Sequence, residues 1–303
     1  MTPSAIRELI SRSPRVTIVV HIQPDGDVLG SAFALKEALL GREVSIVCAS
    51  PAPSIYSDVL PGLTTDSRLP DKTDLLIVLD CSEIHRTGFG RQITALSKKI
   101  PVVVIDHHKT GDIGKITKSI YSDNQANSTT ELVMNIIKEL NLAITPNMAT
   151  ALLLGIYSDT GGFQHAFSPA QAYKLASQLI RRGANLGLIT KTYLASLPRR
   201  QQRLWGMALS RLTVNRFGIA VTRISAQDLV DHKAEEEDLH GLANLIALVS
   251  EAKAALVMIE NGHGWRGILR TRFHTVNVGR LARLIGGTGS QKAAGFTVTK
   301  DLF

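Results

Sequence analysis

Three short apolar runs set what this chain can fold into. Val16-Thr-Ile-Val-Val20, Leu75-Leu-Ile-Val-Leu79 and Val102-Val-Val-Val-Ile105 are almost wholly apolar and rich in β-branched residues. Such runs read as strands buried on both faces. Val44-Ser-Ile-Val-Cys48 belongs with them. Helical patterns alternate with the runs, over about 1–12, 30–40, 128–140, 147–157 and 169–182. The second of these carries Ala32, Leu35, Ala38 and Leu39 on one face and stops at Gly41. Strand and helix in alternation predict an α/β fold, with a mainly parallel sheet and helices on both faces. In such sheets ligands bind beyond the carboxyl ends of the strands.

The polar groups fall at those ends. The first run leads into His21-Ile-Gln-Pro-Asp25-Gly-Asp27, where Pro24 and Gly26 force a turn. Two readings stand there: an Asp-rich turn capping the next helix, or part of a divalent-cation site. Asp80 follows Leu79, Asp106-His107-His108 follow Ile105, and Ser158-Asp159-Thr-Gly-Gly162 ends a helix. Carboxylates brought this close repel unless a proton or a cation neutralises them. Two divalent cations would neutralise the set. Carboxylate and imidazole donors without thiolate suit Mn²⁺, with Mg²⁺, Co²⁺, Fe²⁺ and Zn²⁺ as alternatives. Cys81 adjoins Asp80, but on a strand it would point the other way. Ser128 and Glu131 have capping-box spacing and are assigned to helix initiation.

No apolar run approaches the ~20 residues of a membrane span. The N-terminus lacks a basic-then-apolar leader, and Cys48 and Cys81 read as buried free thiols. A cytoplasmic protein is expected. The net charge of +8 favours anionic partners in general. From Asn261 to Lys300 there are seven Lys or Arg and no acid. A catalytic domain is expected over 1–189, a connecting helix over 190–212 and a smaller α/β domain over 213–303. That last part should hold strands near 218–224, 254–259 and 267–272 and helices near 241–250 and 278–285. Glu235-Glu-Glu-Asp238 reads as a solvated helix start, and Arg181-Arg182 as solvated charges at a helix end.

His-x-x-Pro-Asp-Gly-Asp, the strand-terminal Asp80, Asp106-His107-His108 and Ser-Asp159-Thr-Gly resemble, in order and separation, the four motifs of the DHH phosphoesterase superfamily. Ile268-Leu-Arg270-Thr and Gly286-Gly-Thr-Gly-Ser-Gln-Lys-Ala-Ala-Gly295 resemble the DHH-associated domain. The pairing is most similar to the nanoRNase/pAp-phosphatase group. The resemblance implies one cation held by His21, Asp25 and Asp80, and another held by Asp27, Asp80, His107 and Asp159. Asp106 would orient an imidazole, and His108 would face the scissile phosphate. Two cations about 3.5–4 Å apart would activate water for in-line attack and absorb the developing charge. Arg270, Arg272 and the turn around Gly286 and Gly287 would bind substrate phosphate. One departure stands out: where relatives show Gly-Gly-Gly-His, this chain has Thr288 and Ser290. Ser290 donates one hydrogen bond but carries no charge, so substrate preference should differ. His263 and His274 lie close enough in sequence to be substitutes, although surface positions suit them better.

The expected activity is hydrolysis of very short RNA to mononucleotides, with removal of the 3′-phosphate of 3′-phosphoadenosine 5′-phosphate (pAp). The alternative keeps the chemistry and takes cyclic di-adenylate or its linear product pApA. A third reading, of another class, is a nucleotide-binding module with weakened catalysis. Family II pyrophosphatase shares the catalytic motifs but differs in its C-terminal domain. No membrane partner is expected, and a homodimer is compatible with the resemblance.

Overall fold

The computed structural model describes residues 1–163, 169–195, 198–262 and 264–299. They divide into two compact units, Met1–Ser196 and Leu197–Phe303. His263 lies outside the described residues. Among the described residues no helix is long and apolar enough to cross a membrane.

The N-terminal unit runs α1 (Pro3–Ser11), β1 (Arg15–Val19), α2 (Gly26–Ala38), β2 (Glu43–Val47), β3 (Leu75–Leu79), α3 (Gly90–Leu96), β4 (Val102–Asp106), β5 (Ile120–Ser122), α4 (Thr129–Glu139), α5 (Pro146–Asp159), α6 (Pro169–Arg181) and α7 (Leu186–Ala195). Its five strands lie in the order β2-β1-β3-β4-β5, all parallel. Strand pleat explains the double burial. Leu75, Ile77 and Leu79 of β3 join the core built with α1, α2, α4 and α5, while Leu76 and Val78 pack with Ile93 of α3 on the other face. Burying each such side chain contributes about 1.5–3 kcal/mol. The strand order reverses between β1 and β3, which opens the crevice where parallel sheets bind ligands.

One feature of α2 departs from the sequence reading. The helix begins at Gly26, four residues before the expected start, because the Asp25 carboxylate caps it by accepting the amides of Asp27 and Val28. It also lies very close to α5: a Cβ on Gly30 would sit 2.3 Å from the Ala151 carbonyl oxygen. The short elements α3 and β5 carried too little pattern to be read from sequence.

The smaller unit holds α8 (Arg199–Ser210), β6 (Thr213–Val214), β7 (Ile219–Ile224), α9 (Ala226–Asp231), α10 (Leu242–Ile246), β8 (Ala254–Asn261), β9 (Gly264–Arg270), α11 (Val278–Arg283), β10 (Thr288–Gly289) and β11 (Ala293–Thr299). Its mixed sheet has the order β10-β11-β9-β8-β7-β6, with only β7 and β8 parallel. Leu204 and Ala208 of α8, within the stretch expected to connect the domains, are buried with Ala220 and Ile224. The run Glu235–Asp238 is not wholly solvated. Asp238 is buried and accepts from Arg200 Nε at 2.8 Å, because its carboxylate also caps the turn at Glu235. Arg181 and Arg182 are exposed.

Candidate metal centre

Three strand ends and one helix end converge at the mouth of the crevice. β1 delivers His21, β3 delivers Asp80, β4 delivers Asp106 and then His107 and His108, and α5 ends on Asp159. Asp80 has a left-handed backbone, φ 52°. That conformation is uncommon for a residue with a side chain and is tolerated best by Asn and Asp. It turns the chain at the strand end, and Asp80 N–H donates to Ile105 O at 2.9 Å.

Possible ligand atoms gather in three overlapping groups: His21, Asp25 and Asp80; Asp27, His107 and Asp159; and Asp80, His107 and His108. Within each group they lie no more than 4.8 Å apart. Asp80 belongs to two of the groups and His107 to two. Asp25 therefore satisfies both sequence readings, as helix cap and as member of an acid–imidazole cluster.

The imidazoles are presented as ligands present them. His21 Nδ1 lies 2.8 Å from the Ile22 carbonyl oxygen, and His107 Nδ1 lies 3.3 Å from that of Ala126. A carbonyl only accepts, so both Nδ1 atoms carry a proton, and it is Nε2 of each ring that faces inward. Neither buried Nε2 has a hydrogen-bond partner. His107 Nε2 is 2.9 Å from Asp159 Oδ2 and 3.7 Å from Asp80 Oδ1, and His21 Nε2 is 3.6 Å from Asp80 Oδ2. The contact with Asp159 is short but lacks hydrogen-bond alignment. Carboxylates this crowded need positive charge among them, and an inward Nε2 supplies it by taking a proton or by ligating a cation. The donor set thus fits divalent metal.

The electrostatics agree. Burial, then the charges of Asp159 and Asp80, push the Asp27 carboxyl well above the usual carboxylate range. Burial and Asp80 raise Asp25. Burial opposes ionisation of Asp80 too, but the neighbouring imidazoles of His108, His21 and His107 overcome it and hold Asp80 far below the usual range. For His107 burial favours the neutral ring, yet Asp159, Asp27 and Asp80 together raise it to about 9. His108 is raised to about 10, first by its hydrogen bonds to Asp106 and Asp80. Its Nδ1 is 2.9 Å from Asp106 and 3.2 Å from Asp80, while half of its side chain is exposed.

Sequence reasoning missed the α4 end of this site. Ser128 makes no side-chain cap, and Glu131 bonds Asn127 rather than closing a capping box. Asp27 caps the helix instead, accepting Thr129 N–H at 2.7 Å and Thr130 N–H at 3.0 Å. Thr129 Oγ1 donates to Asp80 at 3.0 Å. The one local signal was a polar run, Asn127-Ser-Thr-Thr-Glu131, entering an otherwise apolar helix.

In the C-terminal unit, Arg266, Arg270, Gly286 and Gly287 line a cavity of about 670 Å³. Arg270 is half-buried, and its Nε donates to Asn244 Oδ1 at 3.0 Å. Arg272 and Ser290 do not line this cavity. β9 ends at Arg270, so Arg272 lies beyond the strand, over the Phe273 ring at 4.9 Å from its centroid. Ser290 is engaged with Ala293 across the β10–β11 turn. Thr288 lines the cavity, whereas His274 does not.

Residues 15–156 match the DHH family, N-terminal domain. The chain is 28% identical over 292 residues to the bifunctional oligoribonuclease and PAP phosphatase NrnA of Thermus thermophilus, covering 93% of this chain and 84% of that protein. It is 27% identical over 304 residues to the cyclic-di-AMP phosphodiesterase GdpP of Geobacillus thermodenitrificans, covering 94% of this chain but only 45% of that protein. The crystal structure of an exopolyphosphatase-related protein from Bacteroides fragilis shares the fold, with a TM-score of 0.86, 21% identity and coverage of 97% and 90% of the two chains. With both its sequence and its acid–imidazole cluster in agreement, the N-terminal unit carries a DHH-family domain over residues 15–156, and the chain is related to the oligoribonuclease and PAP phosphatase group of DHH phosphoesterases.

Proposed function

We propose that the protein is a two-metal phosphodiesterase that hydrolyses very short RNA to mononucleotides and removes the 3′-phosphate of pAp. The observation that carries this is the pair of inward, unpartnered Nε2 atoms of His21 and His107 set among Asp25, Asp27, Asp80 and Asp159. His21, Asp25 and Asp80 would hold one cation, and Asp27, Asp80, His107 and Asp159 the other. When bound, two divalent cations make water a competent nucleophile at neutral pH and offset charge on the phosphoryl oxygens; Mn²⁺ suits the donors best.

The chain's own groups do the rest. Asp106 accepts from both the backbone amide and Nδ1 of His108, at 2.8 and 2.9 Å, and so fixes the ring. Raised to about 10, His108 is an imidazolium at neutral pH; Nδ1 is spent on Asp106 and Asp80, which leaves the Nε2 proton on a half-exposed side chain. That proton is placed to stabilise a phosphoryl oxygen or to be given to the departing oxygen. Tyr56 and Tyr193, with hydroxyls 3.5 Å apart, stand beside Gly26 at the Asp25 end of the site. In the C-terminal unit, Arg266 and Arg270 and the glycine turn supply donors for nucleotide phosphate.

The similarity to GdpP supports a second substrate, cyclic di-adenylate or pApA, on the same centre. A Mn²⁺-dependent assay across di- to pentanucleotides, pAp, cyclic di-adenylate, pApA and pyrophosphate separates these readings. Turnover of dinucleotide and pAp is expected. Turnover of the cyclic dinucleotide alone transfers the assignment to the second substrate, and tight nucleotide binding without any turnover replaces the enzyme by a binding module.

A further inference from the structure

The chain entering α4 touches three members of the metal cluster at once. The Thr129 and Thr130 amides hold the two oxygens of Asp27 at 2.7 and 3.0 Å. The Thr129 hydroxyl donates to Asp80 Oδ1 at 3.0 Å. The Ala126 carbonyl oxygen accepts from His107 Nδ1 at 3.3 Å. Behind them Glu131 Oε1 accepts the backbone and side-chain N–H groups of Asn127, at 3.1 and 2.8 Å, and ties the segment to its own helix. Thr129 is fully buried, so its hydroxyl has no bulk water to turn to.

Thr129 binds two carboxylates of the cluster, Asp27 and Asp80, through two different groups. Its amide is committed to Asp27 by the helix start. Its hydroxyl acts on a torsion that the backbone leaves loose, since the terminal torsion of an aspartate is broad and roughly two-fold. With the Thr129 hydroxyl at 3.0 Å and His108 Nδ1 at 3.2 Å, Asp80 Oδ1 is gripped from two sides, and Oδ2 faces His21 Nε2 at 3.6 Å. Partners that orient a ligand matter to an ion nearly as much as the ligand does.

Resting on the two-metal reading, we propose that Thr129 is a positioning residue that fixes the carboxylates of Asp27 and Asp80 relative to each other, so that divalent-cation affinity depends on its hydroxyl. The residue would act through these two carboxylates. Thr129→Val keeps the shape and the amide and removes the donor, whereas Thr129→Ser keeps the donor.

The test is a Mn²⁺ titration of the full chain, followed by calorimetry and by the spin-resonance signal of free Mn²⁺, beside thermal melting in chelator. Thr129→Val should weaken Mn²⁺ binding about 10- to 100-fold. Thr129→Ser should stay within about threefold of wild type, because the donor that orients Asp80 remains. Wild-type affinity in a folded Thr129→Val protein overturns the proposal, and so does a lower melting temperature in chelator with unchanged affinity, which assigns Thr129 to helix initiation alone. If Thr129→Val does not fold, Thr129→Ala, which places no methyl against Asp80, carries the same expectation. Failure of the wild-type chain to bind any divalent cation is a separate result: it removes the two-metal reading itself, and the proposal with it.

Discussion

Gly155 of α5 is the space into which the Asp27 carboxylate fits. A Cβ at Gly155 would lie 2.6 Å from Asp27 Oδ1 and 2.4 Å from Thr130 Cγ2. Real Cβ contacts do not come that close, and both neighbours are held, Asp27 by two amides and Thr130 by its place in the first turn of α4. Gly155→Ala should therefore displace Asp27 as well as strain the packing of α5 on α4. Overpacking costs about 1–3 kcal/mol. The expected outcome is a lower melting temperature in chelator, together with loss of most Mn²⁺ stabilisation and at least a hundredfold loss of turnover. Calorimetric titration beside a dinucleotide assay checks all three. Unchanged Mn²⁺ binding would show that Asp27 is not a ligand.

His108 differs from its neighbour His107 in a way that predicts different variants. His107 is mostly buried and turns Nε2 toward Asp159, Asp27 and Asp80. His108 is half exposed, and Nδ1 is spent on Asp106 and Asp80. His108→Gln should lower kcat by a factor of about 10²–10⁴, the usual contribution of a positioned acid, while two Mn²⁺ still bind. His107→Gln should lose cation binding. Paired titration and kinetics of the two variants distinguish the roles, and equal loss of metal in both would move His108 among the ligands.

Much of this centre is legible in the sequence, because His21, Asp80 and His107 each follow an apolar run whose end a parallel sheet must place at one mouth. The α4 contribution is not legible in the same way. Ser128 and Glu131 have capping-box spacing, and nothing local says that Asp27, about a hundred residues earlier, takes over the helix start. Arg272 shows the opposite difficulty. Alternation pairs it with Arg270, but the strand ends first, since the Thr271 hydroxyl turns in to the Lys253 carbonyl at 2.6 Å. β10 and β11 escape a pattern reading because small residues, Gly289, Ala293, Ala294 and Gly295, replace the bulky alternation that marks a strand.

Proton linkage gives the cation effect a direction. Asp25, Asp27, His107 and His108 all have folded-state values above their usual ones, the last two at about 9 and about 10. A group raised in the folded state stabilises below its unfolded pKa and loses that contribution as pH rises through the folded one. For the two carboxyls the loss begins above about pH 4, and for the two imidazoles above about pH 6.5. Asp80, held low, works the other way and matters only in acid. The metal-free protein should therefore lose stability between pH 6 and pH 10. Cation binding needs Asp27 and His107 deprotonated and releases their protons, so affinity should rise over the same range. The increase in melting temperature with Mn²⁺ should be larger at pH 8 than at pH 6, and proton release should appear as a buffer-dependent binding enthalpy. A Mn²⁺ shift that shrinks with pH would contradict the ligand assignment.

The cavity of the C-terminal unit separates two arginines that are equivalent in sequence. Arg270 lines it, is partly desolvated, and is oriented by Asn244. Arg272 stands outside it, over the Phe273 ring. A guanidinium that grips substrate phosphate away from the reacting bond contributes to binding equally before and in the transition state, so its loss appears in KM. Arg270→Ala should raise KM for a dinucleotide about tenfold or more and leave kcat within about threefold, as expected for one charge-assisted contact worth about 1.5–3 kcal/mol. Arg270→Lys should recover only part of this, because an ammonium lacks the planar fork. Arg272→Ala should leave both constants near wild type. The kinetic comparison of the three variants checks the assignment, and a KM effect confined to Arg272 would place phosphate recognition on the far side of the β9 end.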